Sequence, residues 1–158
     1  TGMQGDVMKE SMSVAKTLAW KLTPDEMKEK LIARFDKTKT QGVHIHCPDG
    51  ATPKDGPSAG TAITVTLFSL LNDRKIKNTI AITGEMSLQG KVTAIGGLDL
   101  KILGGIQAGV KTFLFPQENE KDFKKFMEKN EKNPIVKGIN FHAIETIKQA
   151  LEYALEEE

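Results

Sequence analysis

The stretch PKDGPSAGTAITVTLFSLLN, residues 53–72, joins a turn-rich loop to an apolar run, and the structure of that run decides the fold. Apolar residues alternate, as they do in a strand, at Ile63, Val65 and Leu67. They also recur at helical spacing, at Ile63, Leu67, Leu70 and Leu71. The length of the run and the Asn72-Asp73 pair that follows it favour a helix over residues 61–71.

Helices and strands alternate on both sides of this segment. Helices are predicted over residues 6–21 and 24–35, from Leu98 to a stop at Gly109, after a cap at Asn119, and over 144–155. Strands are predicted over residues 42–48, 79–84, 91–97, 111–115 and 139–142, with a turn at 88–90 between the second and third. The pattern indicates an α/β (α+β) fold in which helices cover a mixed or parallel sheet.

Composition excludes several classes of protein. The chain has 158 residues, which fits one domain, and its net charge of +1 favours neither nucleic acid nor an anionic membrane. No run approaches the length of a membrane span and no signal peptide is visible. One cysteine, Cys47, excludes an internal disulfide and fits a reducing compartment. Because the chain starts with Thr1-Gly2, we expect a fragment or a processed product.

Ser58, surrounded by glycine, alanine and proline, has three interpretations. It can lie in an ordinary surface loop. It can be the nucleophile of a G-x-S-x-G elbow with His142 downstream, although the residues before it form no apolar strand. It can also be a nucleophile at a helix N-terminus, where the backbone N–H groups of Ser58 and Ala59 could stabilise an oxyanion.

The third interpretation needs a base, and Lys101 is the best candidate. It lies on a helix between Leu98, Leu100, Ile102 and Leu103, and no other lysine has so many apolar neighbours. Burial lowers the pKa of a lysine, and a neutral amine can accept the serine proton without a third residue. Thr83, at the end of a strand, could hydrogen-bond this amine.

Three segments resemble the proteolytic domain of the Lon family of ATP-dependent serine proteases, of the A type. They are GDVMKES, HIHCPDGATPKDGPSAGTAITVTLFSLL and AITGEMSLQGKVTAIGGLDLKILGGIQAGVKTFLFPQEN. The likeness covers nearly the whole chain. It implies the Lon proteolytic-domain fold over residues 1–158, with the ATPase and N-terminal domains outside this chain.

The resemblance also implies roles for particular residues. Ser58 would be the nucleophile, Lys101 its general base, and Thr83 the threonine beside the amine. Asp55 would be the loop aspartate that switches between inactive and active conformations. Where the family usually has better helix formers after the lysine, this chain has Gly104-Gly105, which predicts a looser helix.

Three further residues near these motifs are candidates for a role at the site. His44 and His46 match the family's paired histidines, and we expect them to support the active-site loop. Zinc is disfavoured because no third ligand follows at a suitable spacing. Glu85 follows Thr83-Gly84, which makes it a candidate for a site role near the lysine.

The expected function is that of a serine endopeptidase with a Ser-Lys dyad, the peptidase part of an ATP-dependent protease that degrades unfolded polypeptides. Cleavage itself should need no cofactor or metal, with ATP and Mg used only by the missing ATPase. The resemblance implies a hexameric ring in the full protein, in the cytoplasm or the mitochondrial matrix, with no binding of nucleic acid or membrane by this domain. A catalytically silent scaffold and a Ser-His elbow hydrolase are the alternatives.

Overall fold

The computed structural model describes residues 1–39 and 42–157. In chain order its helices and strands are α1 (Asp6–Leu22), α2 (Asp25–Thr38), α3 (Gly60–Asn72), β1 (Ile80–Ile82), β2 (Glu85–Met86), β3 (Val92–Thr93), α4 (Leu98–Gln107), β4 (Thr112–Pro116), α5 (Glu120–Asn130), β5 (Asn140–Ile144) and α6 (Ile147–Ala154). The prediction of a helix over 61–71 is confirmed. None of the helices in the described part of the chain is both long and apolar enough to cross a bilayer.

Two small sheets hold the strands. β1, β4 and β5 form a parallel sheet with β4 in the centre, and β2 and β3 form an antiparallel hairpin. Parallel neighbours need a crossover connection, and here α4 and α5 supply helices between the strands. The α/β class, with parallel and antiparallel strands accompanied by helices, is confirmed.

β4 organises the core because both of its faces are buried. Successive side chains on a strand point to opposite sides of the sheet. Leu114 lies on one side, in a cluster with Leu18 of α1 and Val65 of α3. Phe113 and Phe115 lie on the other side, with residues of α4 and α5. Helices therefore cover both faces of this sheet, as is usual for parallel strands.

The predicted strand over residues 42–48 is wrong. This segment forms no strand ladder, and its backbone bonds instead to the first residue of the chain: Ile45 O accepts from the Thr1 amine and Cys47 N–H donates to Thr1 O. The predicted alternation of faces is nevertheless present, because Val43 and Ile45 pack on the core while His44 and His46 are exposed. The apolar pattern was sound, but a strand also needs a neighbouring strand to bond with.

Two further predictions need correction. The turn at residues 88–90 joins β2 and β3, whereas β1 belongs to the other sheet, so 79–84 and 91–97 are not the two arms of one hairpin. Asn119 precedes α5 as predicted, but its side chain makes no capping hydrogen bond. That amide instead bonds to the backbone of Ile95, which takes it out of reach of the helix N–H groups.

Candidate active site

Ser58 lies in a tight turn directly before α3. The Gly60 N–H donates to Pro57 O at 3.0 Å, which closes the turn, and Ala59 occupies the N-cap position of the helix. Ser58 therefore lies one residue before the cap, where unpaired N–H groups and the positive end of the helix dipole converge. The predicted position of Ser58 at a helix N-terminus agrees with this geometry.

The carbonyl group of Ser58 is held by the residues that follow β1. Gly84 N–H donates to Ser58 O at 2.9 Å, and the Thr83 hydroxyl donates to the same oxygen at 3.3 Å. Gly84 O in turn accepts from both the backbone N–H and the hydroxyl of Thr61. The end of β1 thus fixes the orientation of the peptide that carries Ser58. Neither the N–H of Ser58 nor that of Ala59 has a hydrogen-bond partner among the described residues.

The small residues around Ser58 have separate physical reasons. Gly56 has a φ of +117°, a conformation that glycine adopts readily. A Cβ on Gly60 would lie 2.8 Å from Ser11 Oγ and 3.2 Å from Met86 N, so this position packs too closely for a side chain. Ala59 is exposed and leaves the adjacent main chain accessible. Packing therefore explains the glycine at position 60, whereas the small side chain of Ala59 leaves backbone that a substrate could reach.

Lys101 lies in the first turn of α4, with its N–H donating to Gly97 O at 3.1 Å. Its neighbours Leu98 and Ile102 are buried, but Leu100 is 72% exposed. The side chain of Lys101 is itself exposed, so the apolar enclosure expected from the sequence is incomplete. Partial burial still lowers the pKa of Lys101 below its ordinary value by penalising the charged form.

Ser58 and Lys101 are not in hydrogen-bond contact. Across residues 1–39 and 42–157, no hydrogen bond joins the Ser58 hydroxyl to the Lys101 amine, and Thr83 bonds to Ser58 O instead of the amine. The hydrogen bond that the sequence suggested for Thr83 is therefore not observed. Catalytic hydrogen bonds are often long without substrate and tighten when it binds, so this arrangement does not remove either residue as a candidate.

Asp55 binds the N-terminus of α1. Its Oδ1 accepts the Met8 N–H at 2.8 Å and the Gly56 N–H at 2.9 Å. Met8 is in the first turn of α1, where N–H groups have no partner within the helix, and a carboxylate is favoured there by the helix dipole. The loop before Ser58 is thus fastened to α1 through the residue that the sequence predicted to be its switch.

His44 and His46 meet at one hydroxyl group. Thr1 Oγ1 lies 3.0 Å from His44 Nε2 and 2.8 Å from His46 Nδ1. Their common partner holds the segment before the loop to the start of the chain, which is compatible with a supporting role. No cluster of three or more potential metal ligands occurs in the described ranges.

Glu85 is exposed on β2, opposite Thr93 of β3. Its side chain has no hydrogen bond or ion pair within the described part of the chain, so nothing draws it to Lys101. His142 stacks on Tyr153, with ring centroids 4.2 Å apart. The residues before Ser58, 49–57, form turns and one isolated bridge and no strand, which is not the geometry of a nucleophile elbow.

Sequence reasoning missed Gly5 and Ser11, which both support the Ser58 loop from α1. Gly5 N–H donates to Lys54 O at 2.7 Å, and Ser11 Oγ donates to Pro57 O at 3.4 Å. Both contacts join residues more than forty positions apart. No local sequence pattern encodes these contacts, because they form when α1 packs against α3.

Comparison with known proteins agrees with this architecture. Residues 1–157 match the family described as the Lon protease (S16) C-terminal proteolytic domain. The Lon protease of Haemophilus influenzae is 44% identical over 156 residues, which cover 99% of this chain and 18% of that protein. The Lon protease of Fervidobacterium nodosum is 40% identical over 158 residues, covering 100% of this chain and 18% of that protein.

A mitochondrial relative matches over a shorter range. The mitochondrial Lon protease homolog of Phaeodactylum tricornutum is 46% identical over 123 residues, covering 78% of this chain and 13% of that protein. The chain thus spans less than a fifth of the length of these relatives. The match nevertheless extends over residues 1–157, from before α1 to beyond α6. The chain belongs to the family of Lon protease C-terminal proteolytic domains, a family of peptidases.

Proposed function

We propose that this domain hydrolyses peptide bonds with Ser58 as the nucleophile and Lys101 as the general base. The observation that carries the proposal is the turn at the start of α3. It holds the Ser58 carbonyl on Gly84 and Thr83 and leaves the N–H groups of Ser58 and Ala59 without partners in the described structure. Two such donors beside a nucleophile can stabilise the oxyanion of an acyl-transfer reaction.

The reaction would proceed in two halves. Lys101, as a neutral amine, accepts the Ser58 proton while Oγ attacks the substrate carbonyl carbon. The resulting ammonium gives that proton to the departing amine as the scissile C–N bond breaks. In the second half Lys101 takes a proton from water, whose oxygen attacks the acyl-enzyme, and the proton returns to Ser58 Oγ. The lowered pKa of Lys101 supports this role, because it increases the neutral fraction near physiological pH.

Ser58 and Lys101 must approach each other for this chemistry. The Lys101 side chain is exposed. Substrate binding or assembly with further copies of the domain would bring its amine to Ser58. Asp55 is placed to influence it, because its bonds to Met8 and Gly56 set the path of the loop that carries Ser58.

The partners are proposed from the family. The substrates would be unfolded polypeptides, delivered by an ATPase domain of the same protein within a hexameric ring, in the cytoplasm or the mitochondrial matrix. Peptide cleavage would use no metal or organic cofactor, and ATP with Mg would serve the ATPase alone. The chain has no G-x-x-x-x-G-K-[ST] phosphate-binding loop, so ATP should leave cleavage by this domain unchanged. Neither nucleic acid nor membrane would bind here.

Labelling of the nucleophile tests the proposal. We expect a peptide sulfonyl fluoride to modify Ser58, identified by mass spectrometry, and cleavage of an unfolded casein-like chain to be lost in Ser58→Ala. Ser13→Ala is the matched control, since Ser13 is an exposed serine of α1 whose hydroxyl donates to Lys9 O within the same helix. A domain that neither cleaves nor reacts at Ser58 would be a catalytically silent scaffold.

A further inference from the structure

Two consecutive side chains after β4 hold the segment that leads into α4. Glu118 Oε2 accepts the Ala94 N–H at 3.0 Å. The Asn119 amide bonds to Ile95 on both sides, accepting its N–H at 2.9 Å and donating to its carbonyl oxygen at 2.9 Å. β3 is only two residues long, so these side chains continue the pairing after its backbone ladder ends.

Asn119 is the buried member of the pair. Its exposed fraction is 2%, and its Nδ2 also donates to Asp122 Oδ2 at 2.9 Å. Glu118 is at the surface. Its hydrogen bond from the Ala94 N–H, and to a smaller extent the one from the Lys91 side chain, hold the pKa of its carboxyl below the ordinary value. A buried amide with all its bonds made fixes its partner more strictly than an exposed carboxylate, because leaving any of its groups unpaired is costly.

Ile95 is close in sequence to the proposed base. Gly96 and Gly97 follow it, Gly97 has a φ of +69° as the N-cap of α4, and Lys101 N–H bonds to Gly97 O. Among the described residues, no atom lies where a Cβ of Gly96 or Gly97 would be, so packing at those two residues does little to fix the backbone. A cleft of about 480 Å³ opens beside them, between the start of α4 and α5. The bonds of Asn119 to Ile95 therefore hold the chain directly before these two glycines, and Leu98, the first residue of α4, packs in the core after them.

The same strand also positions the nucleophile. Leu114 O of β4 accepts the Thr83 N–H at 3.1 Å, and Thr83 in turn bonds to Ser58 O. β4 thus connects to Ser58 through Leu114 and Thr83, and Asn119, three residues after β4 ends, connects to the segment before α4 through Ile95.

Resting on the function proposed above, we propose that Asn119 is a positioning residue for Lys101. It touches neither substrate nor the reacting atoms. It sets the start of α4, and through α4 it sets the distance of the Lys101 amine from Ser58. A misplacement of the order of 1 Å in a catalytic group lowers a rate by about a hundredfold.

The experiment compares Asn119→Ala with Asn119→Asp in an Asp122→Asn background. The double variant keeps an oxygen for the Ile95 N–H and avoids two facing carboxylates, but it cannot donate to Ile95 O. We expect kcat to fall by about tenfold to a hundredfold in Asn119→Ala, with less change in KM, and to be partly restored in the double variant. The pH dependence of kcat should shift, because the surroundings of the Lys101 amine change.

Leu31→Ala is the control for stability, since it removes a buried side chain of α2 outside the site. It should lower the melting temperature without moving the pH profile of the folded enzyme. Wild-type kcat and an unchanged pH profile in a folded Asn119→Ala domain would overturn the positioning role. Failure of Ser58 to react in the unmodified domain would instead overturn the proposed function, so the two results are distinguishable.

Discussion

The carboxylate of Asp55 occupies the space where a side chain on Gly5 would lie. A Cβ built on Gly5 would be 2.7 Å from Asp55 Oδ1 and closer still to Cγ and Oδ2. Gly5 has a φ of −74°, so the backbone itself would accept alanine. The glycine is required by the approach of Asp55 to the N-terminus of α1 and not by its own conformation.

Gly5→Ala should therefore displace Asp55 from the Met8 N–H. We expect a loss of about 1–2 kcal/mol in the free energy of unfolding, the usual cost of removing a helix-capping group. Cleavage should fall as well, because Asp55 also bonds to Gly56, two residues before Ser58. Denaturant titration and peptidase assays measure the two effects. Gly50→Ala is the control, because Gly50 lies in the loop that carries Asp55 and no atom of the described residues is near its Cβ position. Equal behaviour of the two variants would contradict the steric argument.

The two glycines of α4 should respond in opposite ways to alanine. A Cβ on Gly105 would lie 2.6 Å from Phe113 Cε1 and closer to Cζ, whereas no atom in the described part of the chain lies near the Cβ position of Gly104. Gly104→Ala should raise the free energy of unfolding by about 0.5–1 kcal/mol through helix propensity. Gly105→Ala should lower it by about 1–3 kcal/mol, because the buried ring must move. Thermal unfolding of both variants checks the signs.

This pair also shows what the sequence could predict about α4. Two glycines in a helix indicate a looser helix, and at Gly104 the structure offers no other explanation. At position 105 the aromatic ring of Phe113 from β4 leaves no room for a side chain, so glycine is required. Helix propensity cannot reveal this contact, because it involves a residue of another element. The helices were predictable because their apolar spacing is a property of the segment itself. The partner of each strand was not, since pairing depends on the whole arrangement.

The same distinction applies to the candidate site. Ser58 and Lys101 could be chosen from the loop motif, the apolar neighbours of the lysine and the resemblance. The partners of Thr83 and Asn119 could not, because a hydroxyl or an amide at the end of a strand can bond to several nearby groups. Leu100 was expected to enclose Lys101, yet it lies on the solvent side of α4. Sequence neighbours on a helix point in different directions, so they need not share an environment.

The Thr83 hydroxyl should matter for orientation of the Ser58 peptide. Thr83→Val removes its hydrogen bond to Ser58 O while keeping the shape of the side chain, so we expect kcat to fall about threefold to tenfold, the equivalent of one ordinary hydrogen bond. Thr83→Ser keeps a hydroxyl and should retain most of the activity. Steady-state kinetics measure the difference. Full activity in Thr83→Val together with a loss in Thr83→Ser would mean that the methyl group, and not the hydroxyl, is what the site needs.

Activity should increase with pH as Lys101 loses its proton. Partial burial lowers the pKa of Lys101 below 10.5, so the neutral amine becomes available before an ordinary lysine would titrate. Between the pKa of Lys101 in the folded protein and 10.5, the unfolded chain binds more protons at this residue than the folded chain does. The contribution of Lys101 to the free energy of unfolding therefore also rises with pH in that interval. A pH profile of kcat/KM measures the free-enzyme pKa directly.

Substitution of Lys101 completes this test. Lys101→Arg keeps the positive charge but cannot lose its proton in the accessible pH range, so cleavage should fall nearly as far as in Ser58→Ala at every pH. Lys125→Arg serves as the control, because this lysine borders the cleft beside α4 and has no part in the proposed chemistry. If Lys101→Arg cleaved peptides at a rate close to that of the unmodified domain, the base would have to be another group. A rate still climbing above pH 10.5 would mean that burial does not lower the pKa of the catalytic amine.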